Sequence, residues 1–310
     1  MKKGMSTLVL IIIMVITIAI CVMGYILISN MLEKNKENEI KPLYTMENFP
    51  KIDASLSTQP LTDAIIANFT GLAKDEIVTD YSNTHPAYVK LINDEVDLIV
   101  VTEPSKEELE LAKEKGIELE VVPVVKEGFV FYVNSKNPVN ALTQEQIQNI
   151  YTGEITNWKD GGGDDKPIVP YQRPVNSGSQ TAMLSMVMKD KKIMTPKKEN
   201  LISSMFQIVN LVSQYNNEEP AIGYSYYYYA TTIFETMDSK VANNIKFISV
   251  DGVEPSNENI QSGVYPYTTA YYIVINKADD ENSPARILMN QMLSSRGQKV
   301  AEEIGYVPVK

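Results

Sequence analysis

The sequence predicts an α/β protein, and three observations carry that prediction. Short apolar runs and amphipathic helical patterns alternate along the chain. One run, Val96-Asp-Leu-Ile-Val-Val101, is nearly continuous in apolar residues, the mark of a strand covered on both faces in a parallel sheet. The helical patterns open on small polar residues suited to capping, and glycines such as Gly71 and Gly153 stand where two of them stop. In open α/β sheets ligands bind beyond the carboxyl ends of the strands, so those helix starts are the first places to search for a site.

At 310 residues the chain is long enough for two domains of ordinary size once a targeting segment is set aside. After Lys2 and Lys3, Leu8 to Ile28 is an uncharged apolar run long enough to cross a bilayer. A cleaved signal peptide has a shorter apolar core and a small-residue cleavage site, and a lipoprotein signal needs a small residue where Ile20 precedes Cys21. Residues 1–29 therefore read as a cytoplasmic tip and an uncleaved transmembrane anchor, with the lysines inside and the rest of the chain outside. This makes the expected product a single-pass protein of the cell membrane with its folded part on the extracytoplasmic side. Residues 30–42, polar and charged, read as a spacer.

Composition narrows the chemistry. Cys21 is the only cysteine and lies in the apolar run, so the exterior part has no disulfide, cysteine nucleophile or cysteine metal site. His85 is the only histidine, which leaves no histidine-rich metal site, and neither a metal nor a cofactor is expected. A net charge of −11 argues against nucleic acid as a partner. It leaves an anionic ligand open, because a buried site is set by local donors.

The elements follow in order. Lys51 to Pro60 reads as a strand end and a loop feeding a helix, with Pro60 in the first turn and Leu61, Ala64, Ile65 and Phe69 on one apolar face, up to Gly71. Thr84-His85-Pro86 opens a second helix, with Tyr88, Leu91 and Ile92 inward. Ser105 with Glu108 and Thr143 with Gln146 are capping-box pairs. Val121–Val125 and Gly128–Val133 read as two strands separated by Lys126 and Glu127, and Asp160–Asp165 as a surface loop. Ile168-Val-Pro-Tyr171 is a short strand that delivers Arg173. The tyrosine-rich run from Ala221 to Ala230 reads as a strand and an aromatic packing segment, with a ring-stacking platform as the alternative. Tyr265–Ile275 is another strand, Ser283-Pro284 opens a helix through Met292, and Gly297–Ile304 is helical.

The stretch from Tyr171 to Met188 carries the most chemistry. Ser177 is placed as a helix N-cap, Gln180 completes a capping-box pattern, and Gly178 leaves the backbone amides unshielded. Ala182, Met183, Met186 and Val187 have the spacing of a half-buried helix. Free amides, two hydroxyls and the Arg173 guanidinium aimed at one small volume would hold a tetrahedral oxyanion. The bland alternative is a capped surface helix beside an arginine.

Three helix starts share this grammar: Ser57-Thr58-Gln59-Pro60, Thr84-His85-Pro86, and Arg173 with Ser177-Gly178-Ser179. In this order and spacing, from about Lys51 to Val309, the chain resembles the phosphate-binding (PstS-like) subunits of ABC phosphate importers, which are type II periplasmic binding proteins. Arg173-x-x-x-Ser177-Gly178-Ser179 is the most specific element, and Tyr151-Thr-Gly-x-Ile-x-Asn-Trp158 is also characteristic. The resemblance implies a two-lobed α/β fold with two crossover strands, near Val124–Phe129 and Ile222–Tyr226. Lobe 1 would be residues 43–125 plus 226–310, and lobe 2 residues 126–225. It also implies inorganic phosphate or a related oxyanion as ligand, closure of the lobes around it, and an ABC permease and ATPase as partners.

Carried over position by position, the resemblance assigns ligand contacts to Thr58, Gln59, Thr84, Thr102, Arg173, Ser177, Gly178 and Ser179. Ser57, His85 and Glu103 are further candidates. Family members often have an aspartate where Thr102 stands, and a carboxylate there accepts a bond only from a ligand that still carries a proton. Thr102 both donates and accepts, which loosens that filter unless Glu103 turns inward. His85 is either a donor beside Thr84 or a cap or solvated loop residue. A second function stands beside import: a tethered anion sensor or signalling subunit, motivated by the uncleaved anchor. An enzyme is not expected. Ser177 and His85 could be tried as nucleophile and base, but no Gly-x-Ser-x-Gly elbow is present, and a helix-cap serine facing an oxyanion is already explained.

Overall fold

In the computed structural model the described residues are 18, 22–25, 44–45, 47–77, 80–214, 220–233, 241 and 243–310. The expected anchor and spacer over 1–42 lie outside them, apart from Ile18 and Val22–Tyr25. Among the described residues no helix is long and apolar enough to cross a membrane. Tyr44–Lys310 forms one compact unit.

The strands are β1 (Ile52–Ala54), β2 (Leu98–Val101), β3 (Leu119–Asn134), β4 (Ala141–Leu142) and β5 (Val169–Pro170), followed by β6 (Ala221–Tyr226), β7 (Ile245–Phe247), β8 (Ser249–Val250), β9 (Thr268–Asn276) and β10 (Val307–Pro308). Helices fill most of the intervals, so the α/β alternation read from the sequence is present. The parallel sheet is not. β2 runs parallel to β1 but antiparallel to β9, so the sheet is mixed. The apolar run in β2 still has the expected cause. Leu98 and Val100 enter the main core, while Ile99 and Val101 enter a second cluster with Tyr88, Leu91 and Ala112 on the other face.

β3 is one strand of 16 residues where the pattern predicts two. Lys126 and Glu127 do not break it, because both keep their ladder partners: Lys126 lies opposite Ala270 and Val307, and Glu127 opposite Thr269. The Lys126 ammonium reaches out to the Gln261 carbonyl at 2.6 Å, and the buried Glu127 carboxylate accepts the Gly128 and Tyr228 amides at 2.8 and 3.1 Å. The ladder slips instead near Pro123, which has no N–H to donate.

Two sheet regions share this strand. Its first part, Leu119–Gly128, pairs with β9 and through it with β2 and β1. Its second part, from Phe129, pairs with β6 and β7, and β5 runs parallel to β6. Gly128 stands at the changeover, where a Cβ would lie 2.7 Å from Ile260 Cδ1.

Local signals set the helix ends. The helices Lys106–Glu114 and Gln144–Thr152 both start with complete capping boxes, on Ser105 and Thr143. Gly71 and Gly153 close their helices with φ of 76° and 85°, the left-handed conformation that glycine adopts without penalty. Trp158 is buried and donates its indole N–H to the Pro220 carbonyl at 2.9 Å. The Tyr151–Trp158 block therefore braces the second sheet region from within. It does not reach the cavity described next.

Candidate functional site

The chain leaves β1, β2, β5 and β6 toward a single cavity of about 210 Å³. After β1 come Ser55 to Ser57, after β2 Thr102, after β5 Arg173 and then Gly178-Ser179, and at the end of β6 Tyr226. Asn83 and Thr84 line it at the start of the helix Thr84–Ile92, and Ser203 and Ser204 at the start of the helix Met205–Ser213. Carboxyl ends of strands and amino ends of helices thus meet in one volume. It is smaller than the about 300–1,000 Å³ of sites for drug-sized molecules.

Arg173 supplies the charge. Its backbone N–H donates to Tyr224 Oη at 2.9 Å and to Gln180 Oε1 at 3.2 Å. Its Nε and Nη1 are buried with no hydrogen-bond partner among the described residues. Burial lowers the guanidinium pKa, with nearby tyrosines opposing the shift. The group stays a cation all the same, since a guanidinium does not deprotonate in proteins. The other two arginines are committed elsewhere. Arg286 pairs with Glu120 at 2.8 Å, and Arg296 donates to Asn68 and lies over the Phe69 ring.

Beside Arg173, Ser179 Oγ and Thr102 Oγ1 are also buried and unpartnered, in residues 3% and 1% exposed. Leaving a buried donor unmade costs about 1–3 kcal/mol, so a cluster of them facing one cavity is arranged to meet a ligand. Gly178 is what lets them converge. A Cβ there would overlap Thr102 Oγ1 and lie 2.9 Å from Thr84 Oγ1.

The opposite wall is wired internally. Thr58 Oγ1 lies 2.5 Å from the Val100 carbonyl oxygen and 3.0 Å from that of Ser55. Ser55 Oγ sits 3.0 Å from both Ser57 Oγ and Thr58 Oγ1. Tyr306 Oη holds the Ser57 carbonyl at 3.1 Å. Asn83 has φ 75° and ψ 174°, a region open essentially to glycine, and such strain gathers at functional sites.

Of the residues expected to contact a ligand, Thr84, Thr102, Arg173, Gly178 and Ser179 line the cavity, and so does Ser57. Thr58, Gln59, Ser177, His85 and Glu103 do not line it. Thr58 is fully buried and spends its proton on the backbone. Ser177 Oγ accepts the Gln180 backbone amide as a cap, but the box is only half formed: the Gln180 side-chain Oε1 takes the Tyr224 hydroxyl and the Arg173 amide instead. His85 Nδ1 lies 3.0 Å from Glu108 Oε1, the carboxylate that closes the neighbouring capping box. Glu103 accepts from Ser185 Oγ. The helix after Ser177 is also irregular, passing from α-helix at Gly178–Ala182 into a π-helical turn at Met183–Met188.

Sequence reasoning missed Ser55, Asn83, the Ser203-Ser204 pair and the tyrosines. The serine pair had a readable signal: small polar residues before Met205, Ile208, Val209 and Val212 repeat the grammar of the other starts. A bridge between Gln172 and Leu201 holds that segment beside Arg173. Tyr226 and Tyr229 line the cavity, the former donating to the Gly178 carbonyl at 3.0 Å. The aromatic run is therefore packing, as expected, with two of its hydroxyls fixing the Arg173–Ser179 turn.

With this geometry in hand, the sequence matches the PBP superfamily domain family (PBP_like_2) across residues 51–291, and the chain belongs to that family. Within it the relatives are PstS-like. The phosphate-binding protein PstS of Staphylococcus saprophyticus is 28% identical over 265 residues, covering 83% of this chain and 79% of that protein. Protein SphX of Synechococcus elongatus is 25% identical over 271 residues, covering 83% and 76%. Among solved structures, a putative phosphate ABC transporter substrate-binding protein of Clostridium perfringens with bound phosphate is 26% identical with a TM-score of 0.62. It covers 84% of this chain and 98% of its own. A phosphate transport receptor of Vibrio cholerae shares the fold at 21% identity and a TM-score of 0.61, over 83% and 98%. The fold is accordingly the two-lobed α/β arrangement of periplasmic binding proteins.

Proposed function

We propose that the protein captures inorganic phosphate in this cavity, on the extracytoplasmic side of the membrane, and delivers it to the permease and ATPase of an ABC importer. The observation that carries the reading is the convergence of Arg173 Nε and Nη1, Ser179 Oγ and Thr102 Oγ1, all buried and unpartnered, on one small volume. Such an array suits a small tetrahedral oxyanion, whose several oxygens accept charge-assisted bonds from separate directions. The names of the relatives point the same way.

The reading includes two lobes meeting at the cavity. Residues 43–125 with 226–310 make the first and residues 126–225 the second, except that the 245–250 segment pairs with the second through β3 and β4. Ligand binding then draws the lobes together about the crossover. Residues 1–29 anchor the protein as a single span, on the strength of the uncharged Leu8–Ile28 run. The proposal contains no catalytic step: Ser177 serves as a helix cap and His85 pairs with Glu108.

Calorimetric titration of the full chain in detergent with phosphate tests the reading, and saturable one-to-one binding is expected. Absence of heat, together with no phosphate-induced rise in melting temperature, would remove it. Transport and sensing separate by co-purification: a permease and ATPase are expected, whereas a membrane kinase in their place would make the protein a tethered sensor.

A further inference from the structure

Asp53, the middle residue of β1, is 2% exposed and does not line the cavity. A carboxylate so buried persists only where partners replace water. Its Oδ1 accepts the Ala54 and Ser82 amides at 2.7 and 2.9 Å, and its Oδ2 accepts the Ser82 hydroxyl and pairs with Lys90 Nζ at 2.8 Å. Burial opposes its ionisation, but Lys90 and Ser82 outweigh burial and its pKa is lowered, so the group is an anion at neutral pH.

Two of those bonds go to Ser82, the residue ahead of Asn83. Asn83 holds φ 75° and ψ 174°, a conformation that persists in a residue with a side chain only where its neighbours over-determine it. An asparagine that opens a helix ordinarily gains a bond from its side chain to the first turn. Asn83 makes none. On the helix side it is held by its carbonyl, which accepts the Ala87 amide at 3.0 Å. On the strand side it is held through Ser82, clamped by backbone and hydroxyl to Asp53. The strained residue sets a direction: Asn83 and Thr84 line the cavity, and Thr84 Oγ1 comes close enough to Gly178 that a Cβ there would lie 2.9 Å from it.

We propose, resting on the reading of the cavity as a phosphate site, that Asp53 is a positioning residue for the anion: through Ser82 it holds Asn83 in its strained conformation and thereby keeps Thr84 at the cavity. Charge alone predicts the opposite effect, since a carboxylate near an anion repels it and its removal should tighten binding. A loss of affinity on removing Asp53 therefore reports position.

The test is calorimetric titration of the full chain in detergent with sodium phosphate, beside the melting temperature of each ligand-free variant. Asp53→Ala is expected to raise the phosphate dissociation constant about tenfold. Lys90→Met removes the ion pair but leaves both Ser82 bonds; it should lower the melting temperature and keep the dissociation constant within about threefold of the parent. In an Asn83→Gly background, where the backbone conformation carries no penalty, the loss caused by Asp53→Ala should shrink to about threefold or less. Parent affinity or tighter binding in Asp53→Ala overturns the proposal, and so does the same loss with and without Asn83→Gly, or an equal loss in Lys90→Met. If Asp53→Ala does not fold, Ser82→Ala takes its place: it removes the hydroxyl bond without changing charge, and should weaken phosphate about threefold in the parent and not in the Asn83→Gly background. Parent affinity in Ser82→Ala, or the same loss in both backgrounds, then overturns the proposal. All these outcomes leave the phosphate reading standing. Failure of the parent itself to bind phosphate removes that reading, and the role of Asp53 with it.

Discussion

The two walls of the cavity are built on opposite plans. On one side Ser55, Ser57 and Thr58 are bonded to one another, to the Val100 carbonyl and, through the Ser57 carbonyl, to Tyr306. On the other, the Arg173 and Ser179 side chains present donors with no protein partner, on a turn that Tyr224, Tyr226 and Gln180 hold only by its backbone. The Ser55–Ser57–Thr58 cluster of the first wall is satisfied without ligand. The second wall is left short of partners and carries the only cation in the cavity lining among the described residues.

The largest effect is expected from the second wall. Arg173→Met keeps the stem and removes the charge, and phosphate affinity should fall by about 2–5 kcal/mol, the scale of truncating a desolvated charge that meets an opposite one. Burial already disfavours the guanidinium, so the ligand-free variant should melt above the ligand-free parent. Thermal unfolding with and without phosphate reads both, since a ligand that binds only the folded state raises the melting temperature. A variant that kept the parent's phosphate-induced shift would break the contrast between the walls.

The same contrast marks what was legible in the sequence. Arg173, Gly178 and Ser179 were readable because their roles are local, set by a strand, a turn and a cap within ten residues. The wired wall was not. Whether Ser57 or Thr58 faces the cavity depends on the Val100 carbonyl, 42 residues away, which captures the threonine proton. Gln180 was read as a capping-box partner, but Tyr224, 44 residues on, takes its side chain. The fold shows the same division. Caps at Ser105 and Thr143 and the two-faced burial of β2 follow from adjacent residues. The continuity of β3 through Lys126 and Glu127 depends on partners near both Ala270 and Val307.

Glu127 sits where β3 passes from one sheet region to the other, and it offers the next test. Burial pushes its carboxyl from 4.5 up to about 7, against the opposing pull of the Gly128 and Tyr228 amides. The folded protein therefore holds this proton up to about pH 7, and the unfolded chain releases it above about 4.5. The stability it contributes is complete below that lower value and is lost as pH rises through about 7, by roughly 3 kcal/mol in all. Glu127→Gln should flatten this decline when urea unfolding is measured between about pH 5 and pH 8. If the variant and the parent kept the same slope, the crossover would contain no such titrating group. The Tyr228 amide that binds Glu127 belongs to the ring stacked at 3.6 Å on Tyr306, which holds the Ser57 carbonyl. The wired wall and the crossover are thus parts of one packed unit, and a change at Glu127 should be felt in the first wall before the second.

The smallest effect is expected where the walls touch. At Gly178 a Cβ would overlap Thr102 Oγ1 and crowd Thr84 Oγ1, so Gly178→Ala forces the Arg173 turn away from the wall that carries both threonines. Overpacking of this kind costs about 1–3 kcal/mol, so phosphate should bind roughly tenfold more weakly. Thr102→Ala alone should also weaken binding, by loss of a buried hydroxyl donor. Combined with Gly178→Ala, however, it clears the space the new methyl needs. The double variant should therefore bind more tightly than the sum of the two single losses allows, with a coupling of about 1 kcal/mol. Strict additivity would mean that the two walls do not press on each other at Gly178, and that the glycine serves only to expose its backbone to the anion.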